Sequence, residues 1–176
     1  HRGVEMTGDI SADLHAIAAH PVITVSAGAK AFLDLPRTME YLETAGAAVI
    51  GWRTEEFPAF YTRTSGVGVP HRVESAEEVA RIFVALSRPA SVMLLAVPIT
   101  YVDELVRVEL ERVLEEALDE CVASVIVCAA VTPFVVGSFD EATDGRSVPG
   151  TLALAENNAR VAAEIAVALA AHQPQR

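Results

Sequence analysis

Apolar and polar positions along the chain follow two rhythms. Ile10, Leu14, Ile17 and Ala18 recur at helical spacing, which predicts a helix over Ile10–His20, stopped by Pro21. Val22–Ser26 reads as a buried strand. Pro36–Ala45 reads as a short helix carrying Met39, Tyr41 and Leu42 and closed by Gly46, with Ala47–Trp52 as a second apolar strand. Phe57–Tyr61 is aromatic and marked by proline, and the TSGVGVP that follows is loop. Ser75 with Glu78 three positions later is a capping box, opening a helix through Val79, Ile82, Phe83 and Leu86. Ser91–Val97 is a third strand, ended by Pro98. Asp103–Glu120 is an acidic amphipathic helix with Leu105, Val106, Leu110, Val113, Leu114 and Ala117 on one side. The β-branched run Val122–Val136 fits a strand and a buried helix equally well. DEATDGRSVPG reads as loop, and Leu152–Ala171 as an alanine-rich terminal helix.

Continuously apolar strands alternating with helices predict an α/β fold of three layers, α-β-α, with a mostly parallel sheet in a single domain spanning residues 1–176. Sheets of this kind hold ligands at the carboxyl ends of their strands. The stretch VITVSAGAK places Lys30 just past such an end.

Composition narrows the function classes. The chain has 176 residues, 52% of them hydrophobic, enough for one domain with a substantial core. Its longest uncharged stretch, CVASVIVCAAVTPFVVGSF, is interrupted by Ser124, Thr132, Pro133 and Gly137 and reads as core, so no membrane partner is expected. A net charge of −11 argues against a nucleic-acid partner, yet leaves room for a small phosphorylated ligand held by a few local groups. Cys121 and Cys128 are expected to be reduced packing residues in a cytoplasmic protein. The chain begins at His1, not methionine, and reads as a fragment lacking an upstream portion.

Lys30 is the single lysine among 13 basic residues, and two readings of it stand open. A lysine amine against apolar walls is favoured in its neutral, nucleophilic form and can attack a carbonyl to give a Schiff base, with Gly28 allowing close approach of a ligand. It can equally be an ordinary lysine whose stem packs and whose ammonium is solvated. Asp9 and Asp13 in GDISADL lie four apart, which on a helix places both carboxylates on one face, able to share a hard cation directly or through water. Asp9 can also be a plain N-cap and Asp13 a solvated charge. His1, His15, His20 and His71 make no zinc-binding spacing, Ser11 and Ser26 lack a nucleophile-elbow motif, and TSGVGVP lacks the Lys-Ser/Thr ending of a phosphate loop. Asn157-Asn158 breaks local propensity inside an alanine-rich helix.

Four blocks, HRGVEMTGDISADL, VSAGAKAFLDLPRTMEYLETAGAAVIGWRTEEFPAFYTRTSG, TPF and AENNARVAAEIAVALA, closely resemble the pseudouridine-5′-phosphate glycosidase family, also called indigoidine synthase A-like. The resemblance covers nearly the whole chain. It implies making or breaking a carbon–carbon bond between C1 of ribose 5-phosphate and C5 of uracil. Such a bond has no leaving oxygen to protonate, so paired-carboxylate glycosidase chemistry does not serve. An imine between lysine and the ring-opened sugar supplies the electron sink instead. The resemblance implies that Lys30 is the Schiff-base lysine and that Asp9 carries a divalent metal, typically Mn2+. It puts Ser11, Ala12 and Asp13 on the substrate, with His1 and Thr151 beside them. It also implies a homotrimer, and a general-acid glutamate and a phosphate-binding lysine in an N-terminal part outside this chain. The chain is accordingly expected to be inactive without that portion, whether attached or supplied as a second chain.

Two departures from the family pattern bear on the acceptor. Where the family reads NIAL before the terminal helix this chain has TLAL, with Thr151 in place of asparagine; where it reads NPIP this chain has VPIT, with Val97 and Thr100. Threonine is shorter and lacks the amide's two donors. A less polar site suits C-ribosylation of an aromatic polyketide in natural-product biosynthesis. Pseudouridine 5′-phosphate cleavage is the alternative, and a non-catalytic fragment serving as an assembly partner is a second one.

Overall fold

The computed structural model describes residues 1, 4–86, 92–124, 126, 130–143, 145 and 147–172. Its elements in chain order are α1 (Val4–Thr7), α2 (Ala12–Ala19), β1 (Ile23–Ser26), α3 (Leu35–Thr44), β2 (Ala48–Trp52), β3 (His71–Val73), α4 (Ala76–Ala85), β4 (Met93–Ala96), α5 (Arg107–Ala123), α6 (Val131–Ala142) and α7 (Ser147–His172).

The four strands form one parallel sheet in the order β1-β4-β2-β3. Strand parity divides the core. On one face Met93, Leu95, Ile50 and Trp52 pack with Val97 against Val79 and Ala80 of α4 and Val161 and Ile165 of α7. On the other, Leu94, Ala96 and Val49 pack against Leu42 of α3, with Leu14 and Ile17 of α2 beside them. Both faces are covered, which is why β2 and β4 are apolar at nearly every position. The expected three-layer α-β-α fold is what forms. Beside the sheet, α5 and α6 make a helical hairpin whose core holds Leu110, Val113, Leu114, Cys121, Val135 and Phe139, and it packs on Phe32 and Tyr61. Cys121 is buried there; Cys128 lies outside the described residues. Among the described residues no helix is long and apolar enough to cross a membrane.

Local chemistry explains several boundaries. Ser75 caps α4 by accepting the Glu78 amide, while the Glu78 carboxylate turns back to the Glu74 amide, one residue before the partner an ideal box would use. Past α3, Gly46 adopts φ +80°, and its amide and that of Ala47 reach back to Glu43 and Leu42, the pairing of a Schellman motif.

Other expectations are corrected. The helix foreseen over Ile10–His20 starts only at Ala12, because Ser11 is extended and its hydroxyl accepts the Asp13 amide as N-cap. Asp9 therefore lies outside the helix, and the helical i, i+4 argument for it and Asp13 does not apply. The acidic helix begins at Arg107 instead of Asp103. No described residue of Val122–Val136 forms a strand: the run holds the end of α5, its cap at Ser124, and the start of α6. DEATDGRSVPG is mostly helix as well: α6 runs through Ala142 and α7 starts at Ser147, whose hydroxyl bonds the Asp140 carboxylate across the junction. Pro149 is tolerated because first-turn amides need no intrahelical acceptor. The short strand β3 is not marked by any apolar run, since two of its three residues are exposed.

Candidate active site

Past Ser26 the chain leaves β1 and turns sharply at Gly28, where φ is +78°. That turn is stitched to the segment 57–61. The Ala29 amide donates to the Pro58 carbonyl (3.3 Å), the Phe60 amide to the Ala27 carbonyl (3.2 Å), and Gly28 bridges to Ala59. Glycine is required by packing too: a Cβ on Gly28 would stand 1.9 Å from the Pro58 oxygen. The corner delivers Lys30 into a half-buried position between two rings, with Nζ 5.9 Å from the Phe32 centroid and 5.6 Å from that of Phe60. Those distances are in the cation–π range. No carboxylate among the described residues pairs with this amine.

Lys30 lines a cavity of about 590 Å³ on the α2/α3 side of the sheet, which runs along β1 and past its carboxyl end. Ser11, Asp13, His1 and His20 share it with Thr24 and Ser26, while Leu14, Ile17, Leu42, Phe57 and Phe60 supply apolar walls. Strand parity explains the polar pair: Thr24 and Ser26 face this cavity while Ile23 and Val25 pack toward the opposite core. A separate cavity of about 400 Å³ between residues 31–36, 59–67 and α5 holds no lysine or histidine.

The structure thus brings together Lys30, Ser11, Asp13 and His1. Ala12 is the first residue of α2, between Ser11 and Asp13, and is exposed. Asp9 joins the group through His1, whose Nδ1 lies 2.9 Å from Asp9 Oδ2, with about a quarter of each side chain exposed. This is an ion-pair distance without hydrogen-bond alignment, and the buried Nδ1 has no aligned partner. Among the described residues no three His, Cys, Asp or Glu side chains converge on one point. A hard cation that keeps most of its waters needs only one or two carboxylates, so the Asp9 carboxylate beside an imidazole is a donor set that fits one.

Thr151 stands apart from the cavity lining. Its hydroxyl donates to the Ser147 carbonyl (2.9 Å) and lies 3.1 Å from the Tyr61 hydroxyl, which is left to donate to it. Val97 is buried on the α4/α7 side of the sheet, away from Lys30, and the Thr100 hydroxyl is bonded to Asp103. Asn157 holds the Pro98 carbonyl (3.4 Å), and the Asn158 Oδ1 is buried without a partner. The residues that sequence reasoning missed are the two rings around Lys30. The aromatic segment Phe57–Tyr61 was visible, but nothing local ties it to a lysine thirty residues earlier.

Comparisons with known proteins bear on the family and the fold. The family described as "Indigoidine synthase A like protein" matches residues 1–168. The pseudouridine-5′-phosphate glycosidase of Caldanaerobacter subterraneus is 49% identical over 172 residues, covering 96% of this chain and 56% of that protein. That of Methylobacterium nodulans is 46% identical over 175 residues, 96% of this chain and 51% of that protein. The chain spans about half the length of the curated relatives it matches. Among solved structures, the prealnumycin C-glycosynthase AlnA in complex with ribulose 5-phosphate superposes with a TM-score of 0.92 at 36% identity, over 100% of this chain and 59% of that one. An indigoidine synthase A-like protein from Thermotoga maritima superposes at 0.78 with 36% identity, over 94% and 55%.

Proposed function

The chain belongs to the indigoidine synthase A-like family, and from that membership we propose that it carries the Lys30 half of an enzyme active site for C-glycosidic bonds to ribose 5-phosphate. The observation that carries the reading is the delivery of Lys30 past the end of β1 into a cavity shared with Ser11, Asp13 and His1. There the amine attacks the aldehyde of the ring-opened sugar and forms an imine, which accepts the electrons of the carbon–carbon bond as it breaks, or releases them as it forms. Ser11 accepts the Asp13 amide and keeps its own hydroxyl proton to donate to a sugar oxygen. Asp13, His1 and His20 are the titratable groups in the cavity available for opening the ring and removing water.

Asp9, with His1 beside it, would hold a divalent cation such as Mn2+ with water completing its shell. Bound there, the ion supplies positive charge next to an anionic substrate. The general acid and the phosphate-binding cation belong to a portion beyond this chain, and the whole protein assembles as a homotrimer on this reading.

For the acceptor, we favour an aromatic carbon nucleophile over uracil. The apolar cavity walls and the rings of Phe32 and Phe60 support it. Val97 and Thr151 are not among the residues lining the cavity and are not part of that support. The test uses the full-length protein. Borohydride reduction in the presence of ribose 5-phosphate should leave a sugar adduct on Lys30, and no adduct, or one elsewhere, overturns the imine. Ribose 5-phosphate is then offered with uracil or with an electron-rich naphthol. Efficient pseudouridine 5′-phosphate formation overturns the aromatic reading and leaves the imine standing.

A further inference from the structure

Phe60 is one of two described non-glycine residues with positive φ, at +68°. Phenylalanine adopts this left-handed conformation only where surrounding structure imposes it, and such strain concentrates at functional sites. What imposes it is visible: the Phe60 amide is tied to Ala27, and the Ala59 amide to the Thr62 carbonyl (3.1 Å). The outcome is a ring that lines the Lys30 cavity, stands 5.6 Å from Nζ, and meets Tyr61 edge-on at 4.9 Å. Phe32, buried with the hairpin core, has its ring centroid 5.9 Å from the same amine.

We propose that Phe60 is a positioning residue for Lys30, its strained backbone holding an aromatic face that orients the amine for imine formation. The inference rests on the imine chemistry proposed above. A lysine amine on four rotatable bonds, with no carboxylate pairing it among the described residues, needs something else to limit its rotamers, and proximity effects reward that limit. A ring face suits every stage of the step. The ammonium first gives one proton to solvent, and the freed nitrogen lone pair then forms a bond to the aldehyde carbon. The carbonyl oxygen then leaves as water, taking one proton from the nitrogen and one from solvent. The product iminium keeps one proton on nitrogen and a positive charge. An aromatic face attracts that cation as it attracts the starting ammonium, without the proton affinity of a carboxylate.

The test is the rate of borohydride-trapped adduct formation with ribose 5-phosphate, measured on the full-length protein against sugar concentration. Phe60→Leu keeps apolar bulk and loses the ring; Phe60→Tyr keeps the ring. The saturating rate of Phe60→Leu should fall about tenfold, with the half-saturating sugar concentration within about twofold of wild type, and Phe60→Tyr should stay within about threefold in both. Circular dichroism and the urea midpoint confirm that the variants compared are folded at the assay temperature. A wild-type rate in Phe60→Leu overturns the proposal, as does an equal loss in Phe60→Tyr. Absence of any adduct in the wild type overturns the imine itself, and this inference with it.

Discussion

Gly28 and Pro58 touch so closely that no side chain fits between them: a Cβ on the glycine would lie 1.9 Å from the proline oxygen. This contact fixes where the chain goes after β1, and so where Lys30 goes. Gly28→Ala would add both a left-handed backbone penalty and a clash with rigid main chain, for a loss of roughly 2–5 kcal/mol. Urea unfolding of the full-length protein measures it. A loss below about 1 kcal/mol would mean that the corner relaxes easily and does not determine the position of the lysine.

Lys30→Arg retains a cation for Phe32 and Phe60 but has no nucleophilic amine. Stability should change by less than about 1 kcal/mol, while turnover falls by a factor of about a thousand or more and borohydride trapping disappears. Retained trapping would place the imine on another residue.

Asp9→Asn removes the charge that the proposed cation needs and leaves the shape of the site. Mn2+ affinity of the full-length protein, followed by loss of the free-ion electron paramagnetic resonance signal, should weaken by about tenfold or more. Asp13→Asn, at the other carboxylate, should weaken it less. The reverse order would exchange the roles of the two aspartates.

Ser75→Ala deletes the hydroxyl that accepts the Glu78 amide at the start of α4. A cost of about 1 kcal/mol is expected, with faster amide hydrogen exchange confined to the first turn of α4. Full protection there would show that the Glu78 carboxylate on the Glu74 amide is cap enough.

Runs such as Ala47–Trp52, and the described part of Ser91–Val97, announce sheet strands by themselves, because a strand covered on both faces must be apolar at successive positions. The Schellman end at Gly46 and the cap at Ser75 are legible for the same reason: the groups that satisfy one another lie within five residues. The place of Lys30 at a strand's carboxyl end also follows from local pattern. Its surroundings do not. Phe60 reaches it only because residues 57–61 are laid along the chain past β1. Val97 turns from the site because strand parity groups it with Met93 and Leu95. Asp9 falls outside α2 because Ser11, two residues later, makes the cap. Local pattern determines which side of each element is apolar; which distant side chains then meet depends on how those sides pack, and packing is a property of the whole fold.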